Sequence, residues 1–179
     1  MEDWIVIKES KFEVEFPETP YSIVVPIENS EGDPLYMRGY MYEPHSMEDL
    51  NSLYSLLYID YPVGSIHHKD YPLKLKQFLD AMSDRLVEGI LDGNLDRTLS
   101  TNRPDFVGRM LDVSCYKRQF THKIHVFLSE HRLYILQCTT LMSHRDNDVL
   151  RKFFSSFMTG IRLDNQNKKE GQAQTDMLK

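Results

Sequence analysis

The chain has 179 residues, of which 41% are hydrophobic and 27% charged, so it can bury a hydrophobic core without disulfides or metals to hold it together. Its 27 acidic residues outnumber 21 lysines and arginines, which gives a formal charge of −6 at pH 7 and argues against a nucleic-acid partner. No stretch reaches the roughly 18 consecutive apolar residues that a membrane-spanning helix needs.

The N-terminal third is typical of β structure. Phe12, Val14 and Phe16 alternate with charged residues, which predicts a strand with one face against a core and an end at Pro17. Two further runs, 21–27 and 35–42, flank the turn-forming segment 29–34 and predict a hairpin. Pro26 lacks an amide hydrogen, so we expect its strand at a sheet edge or the proline near the strand's end.

The middle of the chain predicts a central strand and a long helix. Segment 53–61 is apolar on both faces, as in a strand covered on both sides. Asp70 and Pro72 are typical of a helix start, and Gly93 of a helix end in the left-handed conformation. Between them, apolar residues recur at helical spacing, namely Leu75, Phe78, Leu79, Met82, Leu86 and Ile90.

The C-terminal half predicts more strands and one more helix. Two or three short strands are expected over 95–116 with a break at 101–104, then a hairpin of 120–128 and 132–140. A last helix begins near 143–146 and runs to Phe157. We predict a single α+β domain over residues 1–160, with a polar, disordered tail over 161–179.

Two motifs carry a family resemblance. The opening Phe12-x-Val14-x-Phe16-Pro17-x-x-Pro20 is one, and the closing Phe153-Phe154-Ser155-Ser156-Phe157, after a strand with Leu133-Tyr134-Ile135-Leu136, is the other. Together they resemble the Mog1/PsbP-like superfamily. The resemblance implies an α/β/α sandwich in which a twisted, mostly antiparallel sheet lies between helices, and a role as a binding or assembly factor for larger protein machines. It implies no catalytic residues.

Three tyrosines form a candidate interaction surface. Tyr36, Tyr40 and Tyr42 are separated by even numbers, so in an unbulged strand they share one face. Tyrosine buries area while keeping a polar group, which suits recognition surfaces and cores alike. The alternative interpretation is that this face packs under a helix.

The connector after the central strand is a candidate ligand loop. His67, His68 and Lys69 lie where binding residues are often mounted, and adjacent histidines can bind a metal or respond to pH near 6. The simpler interpretation is two solvated loop histidines. No third ligand follows at a zinc-site spacing, so we predict no metal site.

A cysteine and a histidine form a candidate reactive pair. If a three-residue loop joins the second hairpin, the register places His122 opposite Cys138, as a thiolate–imidazole nucleophile requires. The pairing depends on the loop length, and a buried, inert cysteine is the simpler interpretation. Cys138 and Cys115 lack CxxC spacing and need not be paired.

No phosphate-binding glycine loop, nucleophile elbow or HExxH motif occurs. We therefore expect a non-catalytic protein-binding or assembly-factor domain, without cofactor, acting as a monomer or weak dimer. The alternative is a small enzyme or a ligand or metal carrier with a site near His67-His68 or the His122/Cys138 pair. We expect a cytoplasmic protein if Met1 is the native start, and an exported one if a leader has been removed.

Overall fold

A computed structural model describes residues 4–28, 32–46 and 49–159, which contain ten strands and two helices. In chain order these are β1 (Ile5–Glu9), β2 (Phe12–Phe16), β3 (Tyr21–Glu28), β4 (Pro34–Tyr42), β5 (Asn51–Asp60), α1 (Pro72–Glu88), β6 (Asn94–Asn102), β7 (Val107–Cys115), β8 (Phe120–Ser129), β9 (Arg132–Leu141), α2 (Asp148–Ser156) and β10 (Met158–Thr159).

Seven strands form one antiparallel sheet in the order β3-β4-β5-β9-β8-β7-β6, and a smaller sheet has the order β1-β2-β10. Sequential hairpins build each half of the large sheet, and the pairing of β5 with β9 joins the halves. β3 lies at an edge, so the missing amide hydrogen of Pro26 can face away from the sheet, as predicted.

The large sheet has a hydrophobic core on each face, because alternate residues of its strands point to opposite sides. The first core, under the small sheet and α2, is rich in aromatic rings, including the fully buried Phe12, Phe16 and Phe153. The second lies under α1, and the predicted apolar stripe of that helix packs against it. Leu79, in this stripe, is 2% exposed. The molecule is thus mostly antiparallel sheet with two helices, consistent with α+β.

The long helix begins at Pro72 with proline in its first turn, as predicted, but its cap and its end differ from the prediction. Tyr71 precedes the helix without a capping hydrogen bond, whereas Asp70 accepts a hydrogen bond from the backbone N–H of His67 and pairs with Lys74. The helix ends at Glu88 with Gly89 in right-handed geometry, and Asp92, at φ 58°, adopts the left-handed conformation expected of Gly93.

Strand β1 was not predicted, since its Ile-Val-Ile run lacks alternation. The predicted disordered tail lies outside the described residues. Within 4–28, 32–46 and 49–159, no helix is long and apolar enough to cross a membrane.

Candidate functional site

The tyrosine face is largely covered. The three tyrosines share one face of an unbulged strand, as predicted, but Tyr42 is 9% exposed and stacks on Tyr54 at 5.9 Å between ring centroids. The Tyr40 hydroxyl donates to Glu9 of β1 at 2.7 Å, and this bond, with burial, raises the pKa of Tyr40 to about 12. Tyr40 therefore attaches the small sheet, Tyr42 lies in the aromatic core, and only Tyr36 of the three remains exposed.

The candidate ligand loop is hydrogen-bonded to the β8–β9 turn. His68 is buried at 6% exposure, and its Nδ1 accepts the backbone N–H of Glu130 at 2.8 Å. His67 stacks on His68, and the sequentially distant His131 lies against His67 with 4.7 Å between ring centroids. These are not simply solvated histidines. No group of three metal-ligating side chains occurs in the described part of the chain.

The proposed His122/Cys138 pairing is wrong in register. The β8–β9 loop has two residues, Glu130 and His131, so His122 pairs with Thr139, and Cys138 pairs with Lys123. A one-residue slip turns Cys138 to the other face of the sheet, away from His122. There Cys138 is fully buried, and burial raises the pKa of its thiol well above the usual range, so it stays a protonated core residue.

The register of β8 with β9 was predicted wrongly because the local sequence does not mark the two-residue turn between them. Glu130 adopts a φ of 52°, a left-handed conformation that short hairpin loops usually assign to Asn or Gly. Its N–H and its carbonyl are both bonded to His68 of the connector, at 2.8 and 3.0 Å. A long-range contact thus supports a turn that the local sequence does not mark.

A cleft opens where helix α1 stops short of the end of the sheet. On β9, Leu133 and Ile135 belong to the core under α1, and the next residues on that face are Gln137 and Thr139. On β8, Ile124 lies in that core, and His122, two residues earlier, lies on the same face toward the open end. The covered half of the face is apolar and the uncovered half is polar. We call this opening the α1 cleft.

The α1 cleft has a volume of about 480 Å³, within the range of small-molecule sites. Its polar floor lies on the paired strands β8 and β9 and is formed by His122, Gln137 and Thr139. Apolar walls come from the end of α1 and the start of β8, including Ile90 and Phe120.

Hydrogen-bond partners favour one tautomer of His122 in the floor. Nδ1 of His122 lies 2.8 Å from the Thr139 hydroxyl and 3.1 Å from the Gln137 amide nitrogen. An amide nitrogen only donates, so Nδ1 is the acceptor and the ring proton is on Nε2. Burial lowers the pKa of His122, which favours this neutral form. Nε2–H has no hydrogen-bond partner among the described residues.

The rim of the α1 cleft is cationic. Arg85 near the end of α1 and Arg118 after β7 both line it, and no aspartate or glutamate does among the described residues. Neither arginine forms an ion pair with a described carboxylate. Cys115 also lines the cleft, but its thiol donates to the Leu91 carbonyl at 3.6 Å and its pKa is raised by burial.

The floor and rim of the α1 cleft can hold a ligand by hydrogen bonds and charge. The Cys115 thiol in the lining is kept protonated, because burial raises its pKa.

A second groove, of about 1020 Å³, lies beside Trp4 and the start of α2. The only cation in its described lining, Lys152, pairs with Glu15 at 3.5 Å and covers the Trp4 ring at 4.2 Å, and the other charged lining residues are acids. We take the α1 cleft as the candidate site because it combines a polar floor with apolar walls.

The sequence identified His122 in this cleft but not Gln137, Thr139, Arg85 or Arg118. A signal was present on β9, where Leu133 and Ile135 continue into polar Gln137 and Thr139 at the same spacing of two. An apolar face that turns polar marks the end of its cover. The arginines carry no comparable signal, since each is an exposed residue outside any apolar pattern.

No family model matches the chain, and no curated protein matches it with significant similarity.

Proposed function

We propose that this protein is a non-catalytic binding domain that holds a small molecule in the α1 cleft. The observation that carries the proposal is the unpartnered Nε2–H of His122, on a polar floor enclosed by apolar walls. A cavity with apolar walls and a few convergent polar groups is typical of a small-molecule site, and this donor is accessible to a ligand because His122 is only half-buried.

The proposal extends to the fold family. A Mog1/PsbP-like sandwich is supported by the layers on both sides of the antiparallel sheet and by the role of the two motifs. Phe12, Val14 and Phe16 of the first motif are fully buried, and Phe153 of the second packs on Phe16 at 5.3 Å between ring centroids. Members of that superfamily act as binding or assembly factors, which agrees with a domain without catalytic groups.

A partner protein is a second candidate, favoured by an exposed apolar patch at the β3 edge. Val24 is 61% and Tyr36 52% exposed, and they lie on paired strands where the small sheet no longer covers the face. Exposed aromatic and aliphatic side chains at one place are typical of interaction sites. A pull-down with Val24→Ser/Tyr36→Ser as the second bait tests it, and a partner retained by the folded double variant would exclude this patch.

Native mass spectrometry and thermal shift test the ligand proposal. We expect a bound small molecule on the gently purified protein, or a saturable rise in Tm with a member of a metabolite library. A ligand at 100 times its Kd should stabilise the protein by about 2.7 kcal/mol.

The matched variants are Thr139→Val in the cleft floor and Thr98→Val on the exposed edge strand β6. Each replaces one hydroxyl by a methyl group. We expect the ligand response to weaken in Thr139→Val and to persist in Thr98→Val. A response unchanged by both, with native circular dichroism, would place the ligand elsewhere and overturn the proposal.

A further inference from the structure

We propose that the ligand of the α1 cleft carries an anionic group, a carboxylate or a phosphate, held between the guanidinium groups of Arg85 and Arg118. This inference rests on the proposed function and specifies the chemistry of its ligand. The same ligand presents an acceptor oxygen to His122 Nε2–H and an apolar body to the walls.

The two arginines come from distant parts of the chain. Arg85 belongs to α1 and Arg118 to the 3-10 turn between β7 and β8, and the fold brings both to the edge of one cavity. A guanidinium group binds carboxylate or phosphate through paired hydrogen bonds, and two of them at one opening favour a single anion between them.

Five described arginines form no ion pair with a described carboxylate, and two of these, Arg85 and Arg118, line the α1 cleft. Arg97, Arg109 and Arg132 each form a salt bridge with a described aspartate, at 3.1, 3.0 and 2.7 Å. Arg85 and Arg118 have no such partner in the described chain, although the protein carries a net charge of −6. The described lining of the α1 cleft thus has two arginines without an ionic partner and no acid. A lining of this composition attracts anions.

The hydrogen-bond donor in the floor of the cleft sets a second requirement for the ligand. Because the Gln137 amide nitrogen keeps Nδ1 of His122 as an acceptor, Nε2 presents a donor toward the cleft. A ligand that binds there must supply an acceptor oxygen. A ligand that offers only donors leaves two donors facing each other and is rejected.

The walls select the body of the ligand. Leu86, Ile90 and Phe120 are half-buried and apolar, and they line the cleft between floor and rim. An apolar body of one or two rings, or a short chain, gains burial there and fits a volume of about 480 Å³. The expected ligand is therefore a small amphipathic anion.

A pair of fluorescent probes of nearly equal shape tests the charge. 1-Anilinonaphthalene-8-sulfonate is an amphipathic anion, and N-phenyl-1-naphthylamine is its uncharged counterpart. We expect saturable binding of the sulfonate to the folded full chain, with affinity reduced about tenfold or more by Arg85→Gln or Arg118→Gln. Binding of the uncharged probe should not change between these variants.

Arg145→Gln is the matched control, since Arg145 is exposed and does not line the cleft. Circular dichroism and Tm verify the fold of each variant. Displacement of the sulfonate by phenylacetate and by phenyl phosphate then separates carboxylate from phosphate preference.

Two results would overturn the inference, and they differ in what they imply for the proposed function. If both probes bind with similar affinity and only Thr139→Val weakens them, the cleft takes neutral ligands and the proposed function survives. If the sulfonate does not bind saturably, or if Arg145→Gln weakens it as much as Arg85→Gln, the cleft has no anion site. In that second case, the thermal-shift response of Thr139→Val decides the proposed function separately.

Discussion

His125 is a histidine inside the aromatic core. It lies on β8, on the face opposite His122, and its ring stacks on Phe154 at 4.0 Å between centroids and contacts the edge of Phe127 at 5.7 Å. Burial lowers the pKa of His125 to about 4, and the weaker effects of Asp112 and Lys123 oppose each other. The folded protein therefore holds this ring neutral at pH 7.

Replacing His125 by phenylalanine should reduce the pH dependence of stability. In the unfolded chain a histidine titrates near 6.5, so between pH 6.5 and about 4 the unfolded state binds the extra proton and the native protein loses stability as the pH falls. The full difference corresponds to about 3 kcal/mol. Urea unfolding at pH 7.5 and pH 4.5 should show a smaller loss in His125→Phe than in the wild type. The exposed His45→Phe serves as control, and equal losses in all three proteins would contradict the assignment.

Gly39 is required by the close approach of two strands. A Cβ atom at this position on β4 would overlap the carbonyl oxygen of Leu56 and lie 2.8 Å from Cα of Leu57, both in the backbone of β5. Backbone inside a seven-stranded sheet cannot shift without losing ladder hydrogen bonds.

Gly39→Ala should therefore destabilise the protein by about 3 kcal/mol or more. Gly89→Ala is the matched change, because Gly89 is at φ −69° after α1 and its added Cβ would have no contact closer than 3.4 Å. It should stabilise the protein by up to about 1 kcal/mol. Thermal unfolding of both variants gives the comparison, and a Gly39→Ala protein as stable as the wild type would mean that the β4–β5 pairing is wrong.

At the scale of elements, the connector between β5 and α1 and the turn between β8 and β9 stabilise each other. Tyr61 N–H donates to the His131 carbonyl at 2.9 Å, and His131 Nδ1 bonds the Ile66 carbonyl at 2.6 Å. His68 adds two more bonds to Glu130. Four contacts thus fix the segment that leads into helix α1.

His68→Ala should weaken this connection by about 1 to 3 kcal/mol, because it removes the side-chain acceptor of the Glu130 N–H. His68→Asn supplies a side-chain oxygen and should recover part of the loss. Hydrogen exchange of the Glu130 amide measures the connection directly, with exposed His144→Ala as control. A Glu130 amide equally protected in His68→Ala would show that the imidazole is not its acceptor.

The same bond should respond to acid. Burial, with the charge of His67, lowers the pKa of His68, so the neutral ring is the native form and its contribution is lost as the pH falls below 6.5. Protonation of Nδ1 places a donor against the Glu130 N–H, and the bond breaks. Charges of Lys69 and Glu130 also act on this ring, in opposite directions.

At the scale of the molecule, the two cores share one sheet. Strand β9 sends Tyr134 and Leu136 into the aromatic core and Leu133 and Ile135 into the core under α1. Neither core can lose its packing without disturbing strands that also build the other.

Unfolding should therefore occur in one cooperative step. Trp4, the only tryptophan, packs on Tyr54 in the aromatic core at 6.4 Å between ring centroids. Leu79→Ala, on the opposite side of the sheet, should lower the stability seen by Trp4 fluorescence and by circular dichroism equally, by about 2 to 5 kcal/mol. If the Trp4 transition stayed at the wild-type denaturant concentration while the helical signal shifted, the two layers would unfold separately.

The sequence by itself determined most of the elements and several of their faces. Alternation of Phe12, Val14 and Phe16, and the helical spacing from Leu75 to Ile90, are local consequences of how each backbone presents side chains. Phe12, Val14 and Phe16 are fully buried, as their alternation predicts, whereas in the helical stripe Leu79 is buried and the other members are half-buried. The edge position of Pro26 followed in the same way from its missing amide hydrogen.

Only the tertiary structure decided the register of β8 with β9 and the makeup of the site. The two-residue turn at Glu130 is supported by His68, which is 62 residues away in sequence, so no local pattern could separate His122–Thr139 from His122–Cys138. Arg85 and Arg118 meet because a helix end and a turn reach the same opening. Which residues converge depends on the length of α1 relative to the sheet that it covers, and that length is set by long-range packing.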